Sequence, residues 1–247
     1  MKKQACRVAR AVLMIAGLAL WLGGSRIEAA DAWAGQWIGL QNASQPNTWL
    51  CFRKQVTMAA HPRSVIARIA CDSKYWLWIN GRLVVFEGEL KRGPTPSGTY
   101  FDEVDIAPYL KKGDNTIAVL LWYWGKNGFS HNSSGRAGLL FETHGLGKEI
   151  TSDANWKVIV HPAYRQTESR HPNYRLSESN VSFDARKDLA GWREGAFDDS
   201  SWASASAYGT PPAGPWGALE KRPILQWKNS GLRYYSGFPR WIVVHGL

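Results

Sequence analysis

At 247 residues the chain is long enough for one β-sandwich and a smaller companion, and short for two full domains. Its formal net charge is +10, but Lys and Arg are scattered along the sequence and no nucleic-acid-binding motif accompanies them, which argues against a nucleic-acid partner. Fourteen Trp are more than a core needs as filler, because each buried indole N–H wants an acceptor.

The N-terminus reads as a processing signal. Lys2, Lys3, Arg7 and Arg10 form a basic start, Ala11–Leu22 an apolar run, and Ile27-Glu28-Ala29 a small-residue cleavage site. The run is too short for a membrane span, so a Sec-type signal peptide over 1–29 and a periplasmic or secreted location in a bacterium are expected. Removing 1–29 takes away five cations and one acid and leaves +6. It also removes Cys6. Cys51 and Cys71 remain, both in predicted strands; export permits a disulfide, and two small buried hydrophobes fit equally well.

Trp33–Gly39 opens the mature chain, and Thr48–Val56 is the first full strand, Leu50, Phe52 and Lys54 facing opposite to Trp49, Cys51 and Arg53. After Pro62, Val65, Ala67, Ile69 and Cys71 alternate with Arg68 and Asp72, the period of a half-buried strand. Tyr75, Leu77 and Ile79 share one face of the next strand, Trp76 and Trp78 the other. Asn80-Gly81 is a type I′ hairpin pair, because both central residues must take φ > 0, so Leu83–Phe86 returns antiparallel. Gly88–Thr99, with Gly93, Pro94, Pro96 and Gly98, is a long loop.

Phe101–Ile106 is a short strand, Tyr109–Asn115 a turn, and Thr116–Trp124 a run apolar on both faces, hence central in its sheet or covered on both sides. Gly125–Arg136 is a second long polar loop, Ala137–Thr143 a strand, and Trp156–His161 closes a sandwich spanning 33–162. Residues 163–247 read as a mostly β or irregular extension. Asn173–Asp184 suggests one or two strands, Asp198–Ser201 a turn or helix start, Pro211–Gly217 a linker, and Leu219–Leu247 a tail without clear partner strands. The fold class is all-β, a jelly-roll sandwich with a small extension, and its strand–Asn-Gly–strand and LKKGDN pieces resemble those of galactose-binding-like sandwiches.

Several blocks in this order resemble the N-terminal non-catalytic region of bacterial α-L-rhamnosidases, glycoside hydrolase family 78. They are Phe52-Arg53-Lys54, Asp72–Gly81 (DSKYWLWING), Tyr100–Ile106, Leu110–Asn115 (LKKGDN), Ser152–Lys157, Phe183–Arg186, Trp192, Phe197–Trp202 (FDDSSW) and Arg222-Pro223-Ile224. The resemblance covers roughly residues 33–225. It implies a carbohydrate-related role, with rhamnose-containing glycans as the ligand class, and a catalytic (α/α)6 barrel encoded downstream. The family's catalytic acids find no counterpart among these residues, so the chain itself is expected to be non-catalytic.

The residues agree. Asp102, Glu103 and Asp105 crowd one short strand, and Asp198-Asp199 one turn; such groups are more often solvated or capping than a hydrolytic pair across a cleft. The six His show no metal-ligand spacing and no cofactor motif is present; a structural calcium on loop carbonyls and an Asp is chemically allowed, but no spacing identifies it. Sugar binding needs only a ring and a few fixed polar partners. The candidate carbohydrate-binding residues are Asp72 and Lys74 at a strand knuckle, Trp122 and Trp124 ahead of the polar loop, and Lys126, Asn127, Ser130, His131 and Arg136 within it, where Gly125, Gly128 and Gly135 permit close backbone approach. The alternative is a loop that docks on a neighbouring domain, its polar groups satisfying one another. Trp76 and Trp78 form either a stacking platform or core beneath a covering segment.

Overall fold

Fourteen short or medium strands organise the computed structural model, which describes residues 32–89, 93–129, 131–167 and 177–228. The expected signal over 1–29 and most of the tail lie outside the described residues. In chain order the strands are β1 (Ile38–Gly39), β2 (Thr48–Met58), β3 (Ile66–Asp72), β4 (Lys74–Ile79), β5 (Arg82–Gly88), β6 (Thr99–Asp105) and β7 (Gly113–Tyr123). There follow β8 (Gly138–His144), β9 (Lys157–Val160), β10 (Tyr164–Arg165), β11 (Ser182–Phe183), β12 (Ala203–Ser204), β13 (Ser206–Ala207) and β14 (Leu219–Lys221). One six-stranded sheet has the order β13-β1-β8-β3-β6-β14, the other β12-β9-β2-β7-β4-β5, and β10-β11 form a separate ribbon.

The period-2 reading of the sequence sets which side chains meet between the sheets. Leu50 and Phe52 of β2, Ala67, Ile69 and Cys71 of β3, Tyr75, Leu77 and Ile79 of β4, and Ile117, Val119, Leu121 and Tyr123 of β7 form the inter-sheet core. Asn80 and Gly81 take φ of 53° and 76°, the left-handed pair of a tight hairpin, and Ile79 faces Arg82 across it. Beyond it β5 is bulged against β4, with Glu87 at φ 57°.

Each sheet is also covered on its outer face, which accounts for much of the tryptophan. Behind β2, β4 and β7, Trp49, Cys51, Trp78, Ala118, Leu120, Trp122 and Trp124 pack with Trp192 and Trp202 from the later chain. Behind β3 and β8, Ala70 and Leu140 pack with Trp37 and Trp216. Strand β7 is therefore apolar on both faces because it is both central and covered. Trp49 is the densest contact: Tyr164 stacks on it at 3.8 Å and Trp122 at 4.4 Å. Trp37 and Trp216 stack at 4.5 Å on the other side. Such pairs contribute about 0.5–1.5 kcal/mol each beyond their buried area.

The segment after residue 162 belongs to these layers. β12 pairs with β9 and β13 with β1, so one short stretch edges both sheets. Leu219–Lys221, expected to lack partner strands, pairs in parallel with Thr99–Phe101. Its anchor is Arg222, whose Nε donates to the buried Asp102. Cys51 and Cys71 are both free and buried, Cys51 in the outer cluster of one sheet and Cys71 in the inter-sheet core.

Candidate functional site

The turn between β3 and β4 places Asp72 at the end of the inter-sheet core, beneath the polar loop that follows β7. Asp72 Oδ2 accepts hydrogen bonds from the Ser134 amide and hydroxyl, both at 2.6 Å, and from the Ser133 hydroxyl at 3.3 Å; Ser73 Oγ donates at 2.5 Å to Oδ1. His131 Nε2 lies 3.4 Å from Oδ1, an ion-pair distance without hydrogen-bond alignment. Burial, the largest influence, pushes the Asp72 carboxyl up, yet the His131, Ser134 and Ser73 side chains together hold it below the ordinary range. A buried anion thus ties down the loop that sequence reads as long and polar.

The other expected residues gather at the same edge but divide by exposure. Trp122 and Trp124 are buried, with the Trp122 indole N–H donating to Asn47 Oδ1 at 2.9 Å. His131 packs edge-on against Trp124 at 4.7 Å, and the Lys74 ammonium sits over both indoles within 6 Å while reaching Glu87 at 3.4 Å. None of these rings presents an open face to solvent, so Trp122 and Trp124 support the loop from below. Lys126, Asn127 and Arg136 are exposed on it. Lys126 donates to Ser179 Oγ at 3.1 Å, Asn127 Oδ1 accepts from the Ser133 amide at 2.9 Å, and Arg136 lies over the Tyr208 ring at 4.0 Å. Ser130 lies outside the described residues.

Asn47 of this edge was not singled out from sequence, and Phe129 was read there only as part of the polar loop. Asn47, in the left-handed region at φ 61°, pairs with Trp122, receives Gln166 on its carbonyl and donates to Thr167; an Asn ahead of a strand is the only local signal. Phe129 is 84% exposed at the loop's crest, the one large ring in the loop that faces water. Gly125 takes φ 66°, and a Cβ there would meet Pro46 Cα at 2.7 Å, so its close approach is to the chain's own backbone.

The acidic groups are committed elsewhere. Asp102 accepts from Tyr75 Oη at 2.8 Å, from the Glu89 amide at 3.2 Å and from Arg222. Glu103 pairs with Lys221, and Asp105 caps the Ala107 amide at 3.0 Å. Asp198 accepts from the Ser200 amide, and Asp199 from Arg53. Asp102 is thus neither solvated nor capping, as its place on a short strand suggested; it is the hub of a buried network. Asp184 holds both Arg165 and Arg186. Trp76 and Trp78 lie on the covered face: Trp78 meets Trp192 edge-on, with the Arg193 guanidinium 4.7 Å from its ring. Among the described residues, no group of three or more His, Cys, Asp or Glu is placed to hold a metal ion.

Fold and rim together define the class: a jelly-roll β-sandwich module, two mainly antiparallel sheets with polar loops at their ends. The model of the α-L-rhamnosidase N-terminal domain matches residues 60–225, and the chain belongs to that family. It is 26% identical over 183 residues to an α-L-rhamnosidase of Streptomyces avermitilis, a match covering 71% of this chain and 14% of that protein. Among solved structures it resembles the family 78 rhamnosidase of Bacillus sp. GL1, with a TM-score of 0.68 and 31% identity over 79% of this chain and 20% of that one. The α-L-rhamnosidase of Dictyoglumus thermophilum shares the fold, with a TM-score of 0.58 and 21% identity over 78% of this chain and 22% of that one. The chain thus spans about a fifth or less of these relatives. Among the described residues, no helix is long and apolar enough to cross a membrane.

Proposed function

We propose that this chain is a secreted, non-catalytic carbohydrate-binding module of an α-L-rhamnosidase-type glycoside hydrolase, working beside a catalytic domain elsewhere in the full-length protein. The loop over Asp72 supports this reading most directly. Its underside is fixed by a buried carboxylate and two indoles, while Asn127, Phe129 and Arg136 stand on its outer surface. A fixed backbone carrying one exposed ring and adjacent polar groups is what recognition of a pyranose requires. The commitment of Asp102, Glu103, Asp105, Asp198 and Asp199 to structural partners supports a non-catalytic role. The basic start and apolar run of residues 1–29 support export.

Titrating the full chain with L-rhamnose and rhamnose-terminated oligosaccharides by calorimetry tests this. Saturable binding that weakens about tenfold in Asn127→Ala or Phe129→Ala is expected; binding untouched by both variants, or none at all, contradicts it. A second reading, packing against the rest of a longer protein, is favoured by exposed Ile224, Leu225 and Trp227 just beyond the Arg222 anchor.

A further inference from the structure

The β4–β5 hairpin, the LKKGDN turn and the segment after Trp192 enclose an open groove of about 530 Å³ at the other end of β7. Along β7, Thr116 at this groove and Trp122 at the Asp72 edge are six residues apart, about 20 Å at strand rise. The groove is therefore separate from the loop site.

Its floor is rigid and already satisfied. Asn80 donates to Tyr109 O and to Asn115 Oδ1, both at 2.9 Å, and accepts from the Thr116 amide at 3.0 Å. Asn115 in turn donates to Lys111 O and Gly113 O. The walls differ. Glu194 lies against Gly81, where a Cβ would come within 3.2 Å of its Cγ, and Gln55 holds Gly195 O at 3.2 Å. Lys111, Asp114 and Arg82 also line the groove: Asp114 accepts from the Thr57 hydroxyl at 2.7 Å, and the Arg82 guanidinium lies 4.9 Å over the Tyr109 ring. Glu194, Asp114, Lys111 and Arg82 line one groove, yet among the described residues no ion pair joins either acid to either cation.

We infer that this groove is a second saccharide site that takes a carboxylate-bearing sugar, a uronic acid residue. Arg82 and Lys111, neither paired with a carboxylate among the described residues, suit the sugar carboxylate, Arg82 being pre-oriented by Tyr109 for a two-pronged hydrogen bond. Glu194 and the Gln55 side-chain carbonyl accept from ring hydroxyls, and the volume admits one or two pyranose rings. That the ligand is a sugar rests on the function proposed above; the two unpaired cations and the groove do not.

Methyl β-D-glucuronide and methyl β-D-glucoside, which differ at the carboxylate, are the probes, titrated into the full chain by calorimetry at low salt. The glucuronide binds saturably and the glucoside at least tenfold more weakly. Arg82→Ala with Lys111→Gln removes this preference, Glu194→Gln weakens both ligands alike, and Asn127→Ala changes neither. Urea midpoints of the variants confirm that they fold, since all three side chains are exposed. Equal affinity for the two probes, no glucuronide binding, or a preference that survives the double variant overturns the assignment. Glucuronide bound here by a chain that ignores rhamnose would remove the loop site and leave this one, and the converse result would do the reverse.

Discussion

Arg53 Nε donates to Asp199 Oδ2 at 2.8 Å across 146 residues of sequence, from a guanidinium wholly shut off from solvent. The same guanidinium donates to the carbonyls of Trp192, Glu194 and Phe197, and lies 5.2 Å from the Phe197 ring. One side chain thus fastens the later segment over the outer face of the second sheet. Arg53→Ala leaves the Asp199 charge and three carbonyls unpaired and is expected to cost about 3–5 kcal/mol. Asp199→Asn, at a partly exposed partner, costs less. Urea unfolding checks both, and an Arg53→Ala loss below that of Asp199→Asn contradicts the arrangement.

Trp49 carries comparable weight. It stacks with Tyr164, Trp122 and Trp76, so Trp49→Ala removes three ring contacts and opens a cavity, an expected loss of about 3–5 kcal/mol. Trp49→Phe keeps part of these contacts and falls between. Were Trp49→Ala to leave the urea midpoint unchanged, the outer layer would not be a core.

Two buried acids give opposite pH dependences. Glu89 is fully buried; burial first, then the nearby Asp102 and Asp72 charges, raise its carboxyl well above the ordinary range despite the opposing Cys71 amide bond. Above about pH 4.3 the unfolded chain has lost this proton while the folded protein keeps it, so stability falls as pH rises toward the folded value. Glu89→Gln therefore gains on the parent as pH goes from 4 to 8. Asp72 is lowered instead, so its contribution is present above about pH 3.9 and lost as pH falls below it. Asp72→Asn costs about 2 kcal/mol at pH 7 and little at pH 2–3. Urea midpoints across pH with slopes of the same sign for both variants would refute this assignment.

Gly125 and Gly135 both bound the loop and both have positive φ, at 66° and 82°. A Cβ at Gly125 meets Pro46, while at Gly135 nothing lies within 4 Å. Gly135→Ala thus bears only the backbone penalty, about 1 kcal/mol, and Gly125→Ala exceeds it by adding a clash. Equal losses would mean that the loop does not rest on Pro46.

The two-sheet core was legible because alternation is local: Val65–Cys71, Tyr75–Ile79 and Thr116–Trp124 declare their faces residue by residue, and Asn80-Gly81 declares its turn. The outer layers were not, because nothing near Arg53 signals Asp199, and a Trp reads alike as platform or as core. Gathering Asp72, Lys74, Trp122, Trp124 and His131 at one edge followed from strand ends that the alternation fixes. Their burial did not follow, since it depends on Ser133 and Ser134 folding back onto Asp72. The exposure of Phe129 and the pairing of β14 with β6 likewise arise from long-range packing that leaves no periodic trace.

Amide chemical-shift mapping of the isotopically labelled full chain during titration with a rhamnose-terminated oligosaccharide tests the central claim most directly. Saturable shifts concentrated in residues 125–136 and around Asp72–Lys74, with the oligosaccharide left intact, are the predicted result. Shifts absent from that loop, or free rhamnose accumulating in the tube, would contradict it.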